Sequence, residues 1–174
     1  MSPTDTDKVD AFRYIDRVTR KMMEAHIARE PVGDIPWTPL ERPLSDCKVG
    51  LVSTAGISLR EGQQPFDAER ERRDPWWGDP TFRELPWAAT EADVRCDHLH
   101  IERTGVEDDL GCVVPTRGLE RLAEEGVIGS VAPSWFCMMG YILRPQDELV
   151  PVTIPSIVAG LRSQEVDVAL MVPV

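Results

Sequence analysis

The residues best equipped for chemistry lie in one run, Val94-Arg95-Cys96-Asp97-His98-Leu99-His100-Ile101-Glu102. Cys96, His98, His100 and Glu102 share one parity. In an extended strand, alternate residues point to the same face, so these four side chains would converge. Two imidazoles and a carboxylate at i, i+2 and i+4 support two chemistries. They could supply ligands to a divalent metal. Alternatively, one histidine could act as general base while the carboxylate orients it. His98, His100 and Glu102 are therefore the candidate catalytic residues and the candidate metal ligands. The spacing is of modest specificity, because a solvated polar strand face has the same pattern.

A second candidate lies upstream. Lys48-Val49-Gly50-Leu51-Val52-Ser53-Thr54 reads as a strand that runs into Ala55-Gly56-Ile57-Ser58. A strand ending in hydroxylic and small residues can offer backbone N–H groups to a carboxylate. A single glycine is not the G-x-G-x-x-G of a dinucleotide site. Ser53, Thr54 and Gly56 are the candidate substrate-binding residues here. Tyr141 joins them from Ser134-Trp135-Phe136-Cys137-Met138-Met139-Gly140-Tyr141-Ile142, an aromatic and methionine-rich run suited to a pocket wall and ambiguous between helix and strand. The four cysteines, Cys47, Cys96, Cys112 and Cys137, form no C-x-x-C pair. They read as small, reduced, buried hydrophobes.

The elements that must position these residues can be read from periodicity. Apolar residues at Phe12, Ile15, Val18, Met22, Met23 and Ile27 predict a helix over residues 10–29, with His26 packed beside the stripe. Pro31, Pro36, Pro39 and Pro43 rule out helix or central strand and predict an extended connection anchored by Trp37. Residues 59–87 show no period and read as a long Trp/Pro-rich loop tied down by Trp76, Trp77, Phe82 and Trp87. Residues 104–110 read as an acidic loop. A helix over 117–125 turns Leu119 and Leu122 inward and stops at Gly126. A helix over 154–164 carries Pro155 in its first turn. Val166 to Val174 closes the chain as a buried strand. The organisation expected is an N-terminal helix and Pro-rich connection over 1–46, then an α/β domain over 47–174. Alternation of strand and helix predicts a three-layer, mostly parallel sheet, one half of a Rossmann or flavodoxin-like fold.

Bulk properties narrow the function. The formal net charge of −11 over 174 residues leaves no basic face for nucleic acid. No apolar run reaches the roughly 18 residues of a membrane span, and Met1-Ser2-Pro3-Thr4-Asp5 lacks the apolar core of a signal peptide. A cytoplasmic protein is expected.

Several strings occur together and in order: Lys48 to Ile57, Pro65-Phe66-Asp67, Gly78-Asp79-Pro80-Thr81-Phe82-Arg83-Glu84-Leu85-Pro86, His98-Leu99-His100-Ile101-Glu102, Leu119 to Pro133, Met139-Gly140-Tyr141-Ile142 and Val166 to Val174. As a set they resemble the selenoprotein B family of the glycine, sarcosine, betaine and D-proline reductases. The resemblance implies reductive cleavage of a C–N bond in a small amino acid or amine. It also implies a selenocysteine or cysteine opening a U-x-x-C or C-x-x-C motif directly after the strand that matches Val166 to Val174. A soft chalcogen that is ionised near neutral pH is the right nucleophile for a substrate carbon.

This sequence departs from the family there. The redox pair would follow Val174, and the family's H-x-H-x-D reads His98-x-His100-x-Glu102. Three readings stay open: a UGA codon read as stop, a natural half completed by a second polypeptide, or a paralogue that works through its histidine pair. The expected partners are a small-molecule substrate and either further copies of the chain or a complementary subunit. The competing readings are a metal-dependent enzyme built on His98, His100 and Glu102, and a non-catalytic partner subunit.

Overall fold

The computed structural model describes residues 12–28, 33, 37–74, 77–142 and 147–174. The chain forms two compact units, Met1–Pro39 and Leu40–Val174. In the first, helix α1 spans Arg17–Ile27. It starts later than periodicity suggests because Asp16 accepts the Val18 and Thr19 amides at 2.9 and 3.1 Å. That is the bonding of a helix N-cap, and it leaves residues 12–15 in a turn. The side chain of His26 lies outside the described residues. Trp37 does not anchor the connection: it is 83% exposed.

The second unit is built around β1, Lys48–Ser53, whose residues are buried from Val49 onward. β1 continues through a tight reversal into β2, Ile57–Leu59. The stretch expected to be one long loop contains α2, Ala68–Arg73, and β3, Phe82–Pro86. Both are short and bordered by prolines, which hides their period. Asp67 caps α2 by accepting the Arg70 amide at 2.9 Å. Trp77 lies under the Arg70 guanidinium at 4.1 Å, Phe82 meets Phe136 in a tilted contact with ring centroids 5.9 Å apart, and Trp87 is buried. Trp76 lies outside the described residues.

The histidine run is not one strand. β4 is only Val94–Cys96. Asp97 interrupts it, because its buried carboxylate accepts bonds from Ser58 Oγ, the Phe66 amide and Arg95. The chain then turns at residues 99–100 and enters α3, Arg103–Asp108, where a loop was expected. α4, Thr116–Glu124, buries Leu119 but leaves Leu122 exposed. Gly126 closes it with φ +72°, while the Val127 amide reaches back to the Leu122 carbonyl at 2.9 Å. β5 (Ser130–Val131), β6 (Ser134–Met138), α5 (Ile154–Ser163) and β7 (Val168–Val172) complete the unit.

β1 is the centre of the sheet. β7 runs parallel along one side of it, from Val49↔Val168 to Ser53↔Val172. β5 and then β6 run parallel along the other side. β3 is antiparallel to β6 on the outside. β2 and β4 form a separate antiparallel pair. Alternation along the strands sorts the core into two faces. Val49, Leu51, Trp135 and Cys137 pack with Leu119 of α4, Val106 of α3 and the β2–β4 pair. Val52 and Phe136 pack with Ile157 of α5. The fold is therefore a three-layer α/β arrangement around a mostly parallel sheet.

β7 is not buried, in contrast to the expectation from its apolar sequence. Ala169, Leu170 and Met171 are exposed, and its outer edge pairs with no other strand among the described residues. Strands of parallel sheets are usually covered on both faces.

Candidate functional site

The site forms where the sheet ends and the chain reverses. Beyond β1, the Thr54 amide donates to the Val172 carbonyl at 3.1 Å and the Gly56 amide to the Met138 carbonyl at 3.1 Å. Gly56 sits at φ +63° in the left-handed region. A Cβ there would stand 2.6 Å from Met139 Sδ and 3.2 Å from His98 Cβ, so only glycine fits comfortably. The reversal starts β2, whose Ile57 pairs with Cys96 of β4. That pairing delivers His98 to the side of Gly56.

His98 is 3% exposed. Its Nδ1 accepts the His100 amide at 3.1 Å, so the neutral ring carries its proton on Nε2, which is buried without a partner. Burial, reinforced by His100, pushes its pKa below the ordinary value of 6.5. His100 is its edge-to-face neighbour at 5.9 Å between ring centroids. The His100 ring also meets Tyr141 at 5.1 Å, and its side chain is 47% exposed. His98, His100, Tyr141 and Gly56 are thus brought together.

The other candidates occupy different positions. Ser53 is fully buried and donates to the Val113 carbonyl at 2.9 Å, which commits its hydroxyl to the fold. Thr54 Oγ1 accepts the Val174 amide at 2.8 Å. Glu102 caps α3, with Oε1 accepting from the Thr104 amide at 2.9 Å and from its hydroxyl at 2.6 Å. Because the strand ends at Cys96, the parity that would have aimed Glu102 at the histidines does not hold. Among the described residues, no three His, Cys, Asp or Glu side chains are grouped to hold a metal ion. His98, His100 and Glu102 therefore do not fit as one metal-ligand set.

Sequence reasoning missed Glu71. Its side chain is 1% exposed, and Oε1 lies 3.3 Å from His100 Nε2. Burial raises its pKa above the ordinary 4.5; His100 opposes the rise and Asp79 adds to it. In Ala68-Glu69-Arg70-Glu71-Arg72-Arg73 nothing distinguishes this acid from its solvated neighbours. The placement depends on Asp67 starting the helix at one particular residue. A groove of about 800 Å³ opens nearby, lined by Arg60, Phe66, Arg72, Arg95, Asp97 and Arg103, and includes none of His98, His100 or Tyr141.

No helix among the described residues is long and apolar enough to cross a membrane. No family model matches the chain, and no solved structure matches it. It is 30% identical over 135 residues to the D-proline reductase subunit gamma of Acetoanaerobium sticklandii, a match that covers 78% of this chain and 52% of the relative. The chain spans about half the length of that curated relative. Over that shared half, the chain is similar in sequence to a subunit of a D-proline reductase, which supports the resemblance to the D-proline/glycine reductase-like family.

Proposed function

We propose that the chain is a cytoplasmic component of a reductase that cleaves a C–N bond in a small amino acid or amine. His98, His100 and Tyr141 form its part of the substrate site. The observation that carries this reading is the convergence of the His100–Tyr141 pair with the C-terminal ends of the central parallel strands. Gly140, beside Tyr141, stands against the end of β7: a Cβ added there would lie 2.5 Å from the Val174 carbonyl and 3.1 Å from Thr54 Oγ1. The absence of a side chain at Gly140 gives room for close approach. Ligands of parallel α/β sheets bind at this end of the strands.

A selenocysteine or cysteine pair, when present, supplies the nucleophile and the two electrons of the reduction. The residues of this chain do the rest. Tyr141 and His100 line one wall and orient the substrate. The half-exposed His100 ring can hold or release a proton at the departing nitrogen, whereas the buried, neutral His98 fixes the turn that carries it. The uncovered β7 provides a face for the polypeptide that bears the chalcogen, so a complementary protein segment is the partner we expect.

The test mixes the 174-residue chain with a polypeptide carrying the family's C-x-x-C or U-x-x-C half. With D-proline and a dithiol reductant, formation of the ring-opened ω-amino acid is measured. No turnover is expected from the chain alone, turnover from the mixture, and a loss of about 100-fold in His100→Gln. Turnover by the short chain with both site histidines replaced, or a mixture indifferent to His100→Gln, refutes the proposal.

A further inference from the structure

Glu71 is a buried acid with no hydrogen-bond partner for either carboxylate oxygen. A carboxylate removed from water is costly unless it is paired. The other residues of its helix turn exposed charges to solvent, including Glu69, Arg70, Arg72 and Arg73. Among the described residues, charged or titratable groups act on Glu71 from the elements around it: His100 from the turn after β4, Asp79 from the loop before β3 and Arg72 from its own helix. His100 Nε2 is at ion-pair distance, 3.3 Å, short of hydrogen-bond alignment. Bonds of this kind are often long without substrate and tighten when it binds. A second buried polar atom without a partner, His98 Nε2, belongs to the ring that flanks His100 edge-to-face at 5.9 Å.

We propose that Glu71 is the positioning carboxylate of His100. It holds the ring through Nε2 and leaves Nδ1 as the nitrogen that exchanges a proton with the substrate. This deepens the reductase reading and rests on it for the identity of the reaction. The spacing of the His-x-His-x-Glu run gave this role to Glu102, whose oxygen is committed to Thr104.

The step is a proton transfer alone. The Nδ1–H bond of the imidazolium breaks, and an N–H bond forms on the departing amine. The ring returns to neutral with its Nε2–H still directed at Glu71. No electrons pass through the ring. A buried carboxylate stabilises the charged ring more than a solvated one would, because little water screens the pair.

The test uses the 174-residue chain in two variants, read by nuclear magnetic resonance. The first is His100→Gln, a change at a half-exposed position. The Glu71 carboxyl carbon is followed through a pH titration, and its midpoint is expected to move upward once the facing imidazole is gone. The second is Glu71→Gln, close to the native shape. The His100 Nε2–H is expected to exchange with water about tenfold faster once its charged acceptor is removed.

An unmoved Glu71 midpoint together with unchanged His100 exchange overturns the proposal. In the reconstituted assay, Glu71→Gln should lower kcat by about 10–100-fold and leave KM unchanged. A raised KM with native kcat also overturns it. The magnetic resonance readouts need no turnover. Coupling without turnover in the native mixture sinks only the reductase reading; turnover without coupling sinks only the role of Glu71.

Discussion

The Val174 amide donates to Thr54 Oγ1 at 2.8 Å, while the Thr54 amide donates to the Val172 carbonyl at 3.1 Å. The residue directly after β1 is thus joined to both the last residue of β7 and the residue two beyond it. Register between these parallel strands is fixed where the candidate site begins. Thr54→Val keeps the shape and removes the acceptor, so it should lower stability by about 1 kcal/mol. Thr54→Ser should retain most of it. Urea unfolding distinguishes the two, and equal losses would show that the methyl group rather than the hydroxyl matters.

Gly56→Ala should cost about 1–3 kcal/mol, because alanine is strained at a left-handed φ. The new methyl would also crowd His98 Cβ at 3.2 Å. The thermal midpoint should fall, and the ring resonances of His98 should shift. An alanine variant with native stability and unshifted His98 resonances would mean that the reversal after β1 is softer than its geometry implies.

Glu71 and His98 pull stability in opposite directions with pH. The Glu71 carboxyl has a raised pKa in the fold, so its contribution is fully present below 4.5 and is lost as pH rises through the folded value. His98 has a depressed pKa, so its contribution is present above 6.5 and is lost as pH falls through the folded value. Glu71→Gln should therefore stabilise the protein relative to native at pH 8, with the difference closing toward pH 4.5. Denaturant midpoints across that range give the answer. A variant less stable at pH 8 would show that the buried carboxylate is fully compensated in its charged state.

The layers of the fold were legible where a single period or pattern dominated. β1, α4, α5 and β7 were all readable because each has an uninterrupted apolar pattern or a clear stop signal, such as Gly126. His98 and His100 were readable because their type is rare in this chain. What could not be read depends on tertiary partners. Asp97 ends β4 because Ser58, Phe66 and Arg95 all bond to it, and no local pattern announces three distant partners. Glu102 was assigned to the histidines by a parity that holds only while the strand lasts. Glu71 was invisible because a helix this short has no measurable period. The exposure of β7 was equally hidden, since an apolar strand sequence does not say what covers it.

The cysteines provide a test of whether a resident thiol is reactive. Cys47, Cys96 and Cys137 are buried, and Cys112 is exposed. Burial raises the pKa of all three buried thiols, that of Cys137 to about 12. Cys137 Sγ also accepts the Ile57 amide at 3.1 Å, which occupies it within the core. Thiolates, not thiols, react with disulfide reagents. A native sample treated with an aromatic disulfide at pH 8 should therefore release about one equivalent of chromophore quickly, from Cys112. The remainder should appear only on unfolding, and Cys112→Ser should abolish the fast phase. Rapid labelling of Cys96 in the native protein would instead place a reactive thiol next to His98.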